Sequence, residues 1–291
     1  MADTAPIIHS SGTFRIGGDL PVHRLGFGAM RITGPGIWGE PADRGEAIRL
    51  LRRAVELGVD FIDTADSYGP NVSEELIREA LHPYDGIVVA TKGGLTRQGP
   101  NRWAPVGSPY YLRQCVEMSL RRLGVDCIDL YQLHRIDTTV PLADQLGALH
   151  GMQRAGKIRH IGISQVTAED YSAARGIIDV VSVQNLYNLS DRRSESVLQA
   201  CERDGIAFIP WFPVAAGPLA APEGPLARLV ARTGIPAAQL SLAWLLQRSP
   251  VMLPIPGTSS IAHLEENCAA AGVTLDAETV HELAIIGEPG A

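Results

Sequence analysis

At 291 residues with 45% hydrophobic residues, the chain can bury a large core, and one α/β barrel of about 250 residues is a common solution at that length. The net charge of -7, with no concentrated Lys/Arg block, argues against a nucleic-acid partner. Cys115, Cys127, Cys201 and Cys268 form no CxxC pair, there is no signal-peptide pattern, and no run approaches about 20 apolar residues, so a soluble cytoplasmic protein without disulfides, metal or membrane span is expected.

In chain order, Thr13 to Ile16 and Leu20 to Val22 flank Gly17-Gly18-Asp19, a plausible hairpin. Arg24 to Met30 reads as a first strand, followed by a Gly/Pro-rich loop with Trp38. Ala47, Leu50, Leu51, Ala54 and Val55 then follow one helical face, which Gly58 ends. The second strand runs into Phe61-Ile62-Asp63-Thr64-Ala65-Asp66-Ser67-Tyr68-Gly69, an apolar stretch that turns polar at its tip. A helix from about Glu74 to Leu81 follows, with Asn71 and Glu74 at capping-box spacing.

Ile87 to Lys92 is the third strand. A polar loop with Trp103 precedes a helix from Pro109 to Leu123, and Cys127 to Leu133 is the fourth strand, ending at His134. A helix from Leu142 to Ala155, a strand His160 to Ser164, a short helix, a strand Val180 to Gln184 and a helix Arg192 to Arg203 continue the alternation. Strand seven is Ala207 to Phe212. A helix through Leu242, Leu245 and Leu246 leads to strand eight, Val251 to Ile255, and a last helix starts near Glu278. Eight strands alternating with helices over residues 1 to 291 predict one (β/α)8 TIM-barrel domain with an N-terminal β-hairpin. A doubly wound open sheet is the alternative fold, but Gly26-Phe27-Gly28 lacks the third glycine of a dinucleotide fingerprint.

In such a barrel the active site forms at the carboxyl ends of the strands. Those ends carry Asp63, Tyr68, Lys92, His134, Ser164, Gln165, Gln184, Trp211 and the segment Pro256 to Ser260. Taken singly, each has an ordinary explanation: a turn carboxylate, a packed phenol, a solvated amine, a core histidine. An acid, a phenol, an amine and an imidazole gathered from three successive strands point instead to chemistry. A phenol is a poor acid near neutrality, and an adjacent ammonium favours its ionised form. Lys92 can supply that ammonium if Asp63 holds it. Tyr68 can then protonate a developing alkoxide while His134 hydrogen-bonds the same oxygen, which suits carbonyl reduction by hydride. Asp66 and Ser67 look like turn chemistry. Ser164, Gln165 and Gln184 offer groups for a nicotinamide carboxamide, and Trp211 offers a flat stacking face. Gly257, Thr258, Ser259 and Ser260 open a helix whose N-terminus can receive phosphate, although an ordinary Ser cap reads the same way. Trp38 and Trp103 could wall an apolar substrate pocket.

FIDTADSYG, VVATKGG, DLYQLHRID, HIGISQV, VQNLYN and PGTSSIAHLEEN together, in this order and over nearly the whole chain, resemble the aldo-keto reductase family. The resemblance implies a (β/α)8 barrel that binds NADP(H) and reduces aldehydes and ketones. By position it makes Tyr68 the proton donor, with Asp63, Lys92 and His134 completing a tetrad. It puts Ser164, Gln165 and Gln184 at the nicotinamide, Trp211 on its face, and Gly28, Ala29 and Met30 in the first-strand loop. Phe212, Pro213 and Val214 match the pyrophosphate segment, and Gly257, Ser259, His263, Glu266 and Asn267 the adenosine-phosphate segment. Gln165 replaces a usual asparagine, and Gly257 and His263 stand where many members carry Lys and Arg, so NAD(H) remains the alternative cofactor, with Arg248 or the Ser259 and Ser260 hydroxyls as compensating groups.

GPGIWGEPADR and LAWLLQRSP are further similar to a bacterial branch of pyridoxal reductases, which makes pyridoxal one candidate among small aldehyde and ketone substrates. A monomer or weak oligomer is expected. Two other readings stay open: a nucleotide-sensing regulatory subunit with little turnover, and a Schiff-base lyase using Lys92 as nucleophile.

Overall fold

The computed structural model describes residues 6–214 and 223–286. The first elements are the antiparallel hairpin of β1 (Thr13–Ile16) and β2 (Leu20–His23), with Gly17 and Gly18 at φ of 61° and 85°. Ile16, Leu20 and Val22 pack against Phe61, Val88, Leu130, Val181, Ala207 and Leu253 at the amino ends of the barrel strands. The expected hairpin therefore plugs the bottom of the barrel.

Next come β3 (Phe27–Gly28), α1 (Arg44–Glu56), β4 (Phe61–Asp63), α2 (Val72–Leu81) and β5 (Val88–Gly93). Asp43 caps α1 by accepting from the Glu46 amide, and the helix buries Ala47, Leu50, Leu51 and Ala54, the apolar stripe seen in the sequence. A second hairpin, β6 (Leu95–Arg97) and β7 (Trp103–Pro105), lies where a plain loop was expected, so Trp103 sits on a strand. The chain continues through α3 (Pro109–Leu123), β8 (Ile128–Leu133), α4 (Leu142–Arg154), β9 (Ile158–Ser164), α5 (Ala168–Arg175), β10 (Val180–Leu186), α6 (Glu195–Asp204) and β11 (Ala207–Trp211). Helices α7 (Ala227–Thr233), α8 (Ala237–Arg248), α9 (Ile261–Ala269) and α10 (Ala277–Ile286) complete it.

The parallel sheet has seven strands in the order β11-β10-β9-β8-β5-β4-β3. The eighth stave, expected as a strand over 251 to 255, closes the ring without forming a regular strand. On one side it exchanges bonds with Phe208 (Phe208 N to Val251 O, 2.9 Å; Leu253 N to Phe208 O, 2.8 Å). On the other, its carbonyls only accept: Gly26 N to Pro254 O, 2.9 Å, and Gly28 N to Pro256 O, 3.2 Å. Pro254 and Pro256 have no N–H to return, so the ladder is one-sided there. The result is a (β/α)8 barrel. Among the described residues no single helix is long and apolar enough to cross a membrane.

The expected Asn71–Glu74 capping box does not form. Asn71 makes no side-chain cap, and Glu74 turns inward, fully buried. There it accepts from the Thr91 hydroxyl at 2.6 Å and from Arg122 Nε at 2.6 Å. A carboxylate that can reach a guanidinium and a hydroxyl in the interior is held more strongly than one reaching back to a helix-start amide. Arg122→Met should therefore leave the Glu74 carboxyl buried without its guanidinium and lower stability by about 3 to 5 kcal/mol in denaturant titration, with Glu74→Gln in the same chain recovering much of the loss.

Candidate active site

Asp63 ends β4, Lys92 is the fifth residue of β5, and His134 follows β8, so three adjacent strands deliver their side chains to one point. Lys92 is fully buried. Its ammonium donates to Asp63 Oδ1 at 2.6 Å, to the Thr64 carbonyl at 2.8 Å and to the Tyr68 hydroxyl at 3.4 Å, which uses all three N–H groups. Tyr68 stands edge-on to His134, with ring centroids 5.8 Å apart and planes at 82°. The four residues expected to act together are thus brought together.

Burial alone would lower the Lys92 pKa, but Asp63 and Tyr68 outweigh it and hold the ammonium above the ordinary lysine range. For Tyr68 the balance differs from the expectation drawn from Lys92 alone. Burial raises its pKa by more than the neighbouring ammonium lowers it, so the phenol keeps its proton at neutral pH. His134 is pushed well below the ordinary histidine range, first by burial and then by Lys92, Arg135 and Arg97, so the imidazole is neutral.

Several contacts escaped the sequence. Gln132, buried in β8, donates to Asp63 Oδ2 at 3.1 Å. Gln184, expected at the nicotinamide, also donates to Asp63 Oδ2, at 2.8 Å. An amide inside so apolar a strand was the available signal for Gln132. Ser67, set aside as turn chemistry, pairs its hydroxyl with His134 Nδ1 at 3.2 Å. Gln165, at φ 54°, accepts from Trp211 Nε1 at 2.8 Å and from the Leu186 amide at 3.0 Å, and so fixes the indole. Ser164 lies buried beside it, at the end of β9.

Beyond Trp211, Phe212 is exposed at φ 56° and its carbonyl accepts from Asn188 Nδ2; Pro213 and Val214 follow. At the other rim, Gly28 and Gly257 meet backbone to backbone: a Cβ on Gly257 would fall 2.6 Å from the Gly28 carbonyl. Ala29 and Met30 continue from Gly28 into a short 3-10 turn. Thr258 accepts from the Ser260 amide, and Ser260 caps α9 through His263 N. Ser259 and His263 are exposed on this segment, Glu266 is half-buried and Asn267 is buried. Arg248 pairs with Glu195 and Glu202 and is not free to serve here. Arg31, unflagged by the sequence, is exposed next to Gly257, and no ion pair holds it among the described residues.

A buried ammonium, a protonated phenol and a neutral imidazole around one point at the carboxyl rim stand where a (β/α)8 barrel enzyme carries its active site. The Aldo/keto reductase family model matches residues 24–288, and the chain belongs to that family. It is 55% identical over 282 residues to an uncharacterized oxidoreductase of Schizosaccharomyces pombe, covering 97% of this chain and 92% of that one. It is 43% identical over 286 residues to pyridoxine 4-dehydrogenase of Escherichia coli, covering 94% and 98%. Among solved structures it resembles an aldo-keto reductase from Klebsiella pneumoniae in complex with NADPH, at 29% identity and a TM-score of 0.81, covering 96% of each chain. The protein is accordingly an NAD(P)H-dependent oxidoreductase.

Asp66 lies behind this site. Burial first, and then the charge of Glu74, push its pKa up to about 7, and its Oδ1 has no hydrogen-bond partner among the described residues. An acid whose folded pKa exceeds its unfolded one loses stability as pH rises from about 4 to about 7, because the unfolded chain releases the proton first. Asp66→Asn should leave stability nearly unchanged at pH 4 and raise it by roughly 2 to 4 kcal/mol at pH 8, read from denaturant midpoints at the two pH values.

Proposed function

We propose that this chain reduces aldehydes and ketones to alcohols with NADPH, and that Tyr68 is its proton donor. One observation carries the reading: the Lys92 ammonium, sealed in the barrel, contacts both Asp63 and the Tyr68 hydroxyl. When bound, NADP(H) supplies the hydride. The substrate oxygen sits between the Tyr68 hydroxyl and the His134 imidazole. As negative charge develops on that oxygen, Tyr68 releases its proton to it, and the phenolate that remains is matched by Lys92. With the Ser67 hydroxyl donating to Nδ1, the ring proton of His134 lies on Nε2, where it hydrogen-bonds the same oxygen.

The residues fit the cofactor. Trp211, held by its indole N–H on Gln165, would stack on the nicotinamide. Ser164, Gln165 and Gln184 would offer their remaining polar groups to the carboxamide, Gln184 Nε2 being engaged by Asp63. Gly28, Ala29 and Met30 on the first-strand loop and Phe212, Pro213 and Val214 would hold the pyrophosphate side. Gly257, Thr258, Ser259, His263, Glu266 and Asn267 would hold the adenosine phosphate at the start of α9. Arg31 supplies the cation that Gly257 and His263 lack, which favours NADP(H) over NAD(H). The Schiff-base route is disfavoured, because a fully buried lysine with a raised pKa and three occupied N–H groups offers no nucleophilic lone pair. Pyridoxal is one candidate aldehyde, supported by the relative named pyridoxine 4-dehydrogenase.

Tyr68→Phe should cut kcat by about 10²- to 10⁴-fold in NADPH-oxidation assays with an aldehyde panel that includes pyridoxal, while the NADPH Kd changes little. An unchanged kcat would remove Tyr68 from its role, and absence of turnover in the unmutated protein would favour a nucleotide sensor. For cofactor choice, Arg31→Met should weaken NADPH about tenfold or more in fluorescence titration and leave NADH nearly unaffected. Equal effects on both would count against Arg31 as a reader of the 2′-phosphate.

A further inference from the structure

Arg97, the last residue of β6, spends all five of its N–H donors on backbone carbonyls. Nε donates to Arg102 O at 3.1 Å; Nη1 donates to Ile37 O at 2.6 Å and Ser67 O at 2.8 Å; Nη2 donates to Gly36 O at 2.9 Å and Gly99 O at 3.3 Å. The guanidinium lies 3.6 Å from the centre of the Trp103 ring and 5.6 Å from that of Trp38. No carboxylate pairs with it among the described residues. Burial lowers its pKa, and the carbonyl dipoles and the two aromatic faces stand in for a counter-ion.

These carbonyls belong to three separate loops. One follows β3 and carries Trp38; one follows β4 and carries Ser67 and Tyr68; the third is the β6–β7 hairpin with Trp103. The first two also touch through backbone alone, Gly69 N to Ile37 O at 3.3 Å and Gly39 N to Gly69 O at 2.5 Å. The third is joined to them by the Asn101 amide, which donates to Gly36 O at 2.9 Å, and by Arg97, whose guanidinium stacks on the same Trp103 that meets Tyr68 edge-on, with ring centroids 6.4 Å apart. A lysine there would bring a point charge and three donors without the planar fork.

We propose that Arg97 is a positioning residue that builds the aromatic wall of the substrate site, and that this wall selects flat, ring-bearing carbonyl compounds over small aliphatic ones. The inference rests on the carbonyl-reductase reading. Arg97 hydrogen-bonds neither the reacting phenol nor the imidazole, and its charge is the smallest of the influences that lower the His134 pKa. It acts by fixing Trp103 against Tyr68 and by holding the loop that carries Trp38 beside them, and a displacement of about 1 Å at such a site costs on the order of 10²-fold in rate.

The test compares the unmutated protein with Arg97→Met and Arg97→Lys, using NADPH with 4-nitrobenzaldehyde and with acetaldehyde. For Arg97→Met, kcat/KM for 4-nitrobenzaldehyde should fall about 100-fold, mostly through KM, against about threefold or less for acetaldehyde and less than about twofold in NADPH Kd. Arg97→Lys should fall between. Equal losses on the two aldehydes, or no loss of selectivity, would overturn the proposal. Hydrogen exchange gives a readout independent of turnover. The amide of Asn101, which bonds Gly36 O across the loops that Arg97 ties, should lose protection in Arg97→Met while β5 and β8 keep theirs, and unchanged protection at Asn101 would overturn it. If the unmutated protein reduces neither aldehyde, the reductase reading fails, and the exchange data alone decide whether Arg97 ties the loops.

Discussion

Everything at the rim of this barrel depends on the ion pair between Asp63 and Lys92. Taking both charges out of water costs several kcal/mol per ion, and their attraction offsets this only if every remaining lone pair and proton is satisfied. Here Oδ1 receives the ammonium, Oδ2 receives the amides of Gln132 and Gln184, and the ammonium completes its set on Thr64 and Tyr68. The interior of a TIM barrel is ordinarily a layered apolar core. This one gives up part of a layer to polar groups, and Gly162 makes room for them: a Cβ there would fall 2.1 Å from Ser182 Oγ and 3.0 Å from Gln132 Cγ. Gln132 Oε1 and Ser182 Oγ have no hydrogen-bond partner among the described residues, a local loss beside the amide that holds one carboxylate still.

The same burial that makes the pair demanding decides the state of the phenol. An ammonium 3.4 Å away would by itself ease ionisation of Tyr68, yet withdrawal from water opposes it more strongly. The Lys92 ammonium therefore faces a phenol rather than a phenolate. His134 follows the same logic with the opposite sign, since burial and three nearby cations keep its ring uncharged. The site therefore rests as a neutral acid beside a neutral hydrogen-bond donor, with its only compensated charges below them.

Most of the frame could be read from the sequence, because the strands are apolar and end abruptly in functional groups: FID, VVATK and LYQLH each announce a buried strand whose last residue has no apolar reason to be there. What escaped was set by contacts distant in sequence. The hairpin carrying Trp103 lies in LTRQGPNRWAP, which has no apolar alternation, and it is pinned by Arg97 rather than by a core face. Ser67 and Asp66 look alike in the chain and separate only when one meets His134 and the other is sealed behind the sheet. Glu74 had the spacing of a cap residue, but its preference was decided by Thr91, 17 residues on, and by Arg122, 48 residues on. The eighth strand was correctly located, while its two prolines left it without a regular ladder.

A parallel ladder makes the arrangement depend on register. Asp63 pairs with Ala90, and Lys92 pairs with Gln132, so Lys92 lies two residues beyond the partner of Asp63 and on the same, inward face. Thr91 and Tyr131, one residue back on each strand, face outward, and Thr91 meets Glu74 on α2. Two polar clusters thus stand back to back across one thickness of sheet, one around Asp63 and the other around Glu74 and Asp66. A slip of one residue would exchange them, placing the lysine among the helices and a threonine under Tyr68. The loop bearing Tyr68 hangs from this register: Asp66 N bonds the Lys92 carbonyl at 3.1 Å, and Asn71 N closes the loop on the Asp66 carbonyl at 2.7 Å. The backbone that carries the phenol is thus anchored on the carbonyl of the residue that carries the ammonium, so one set of backbone bonds places both groups.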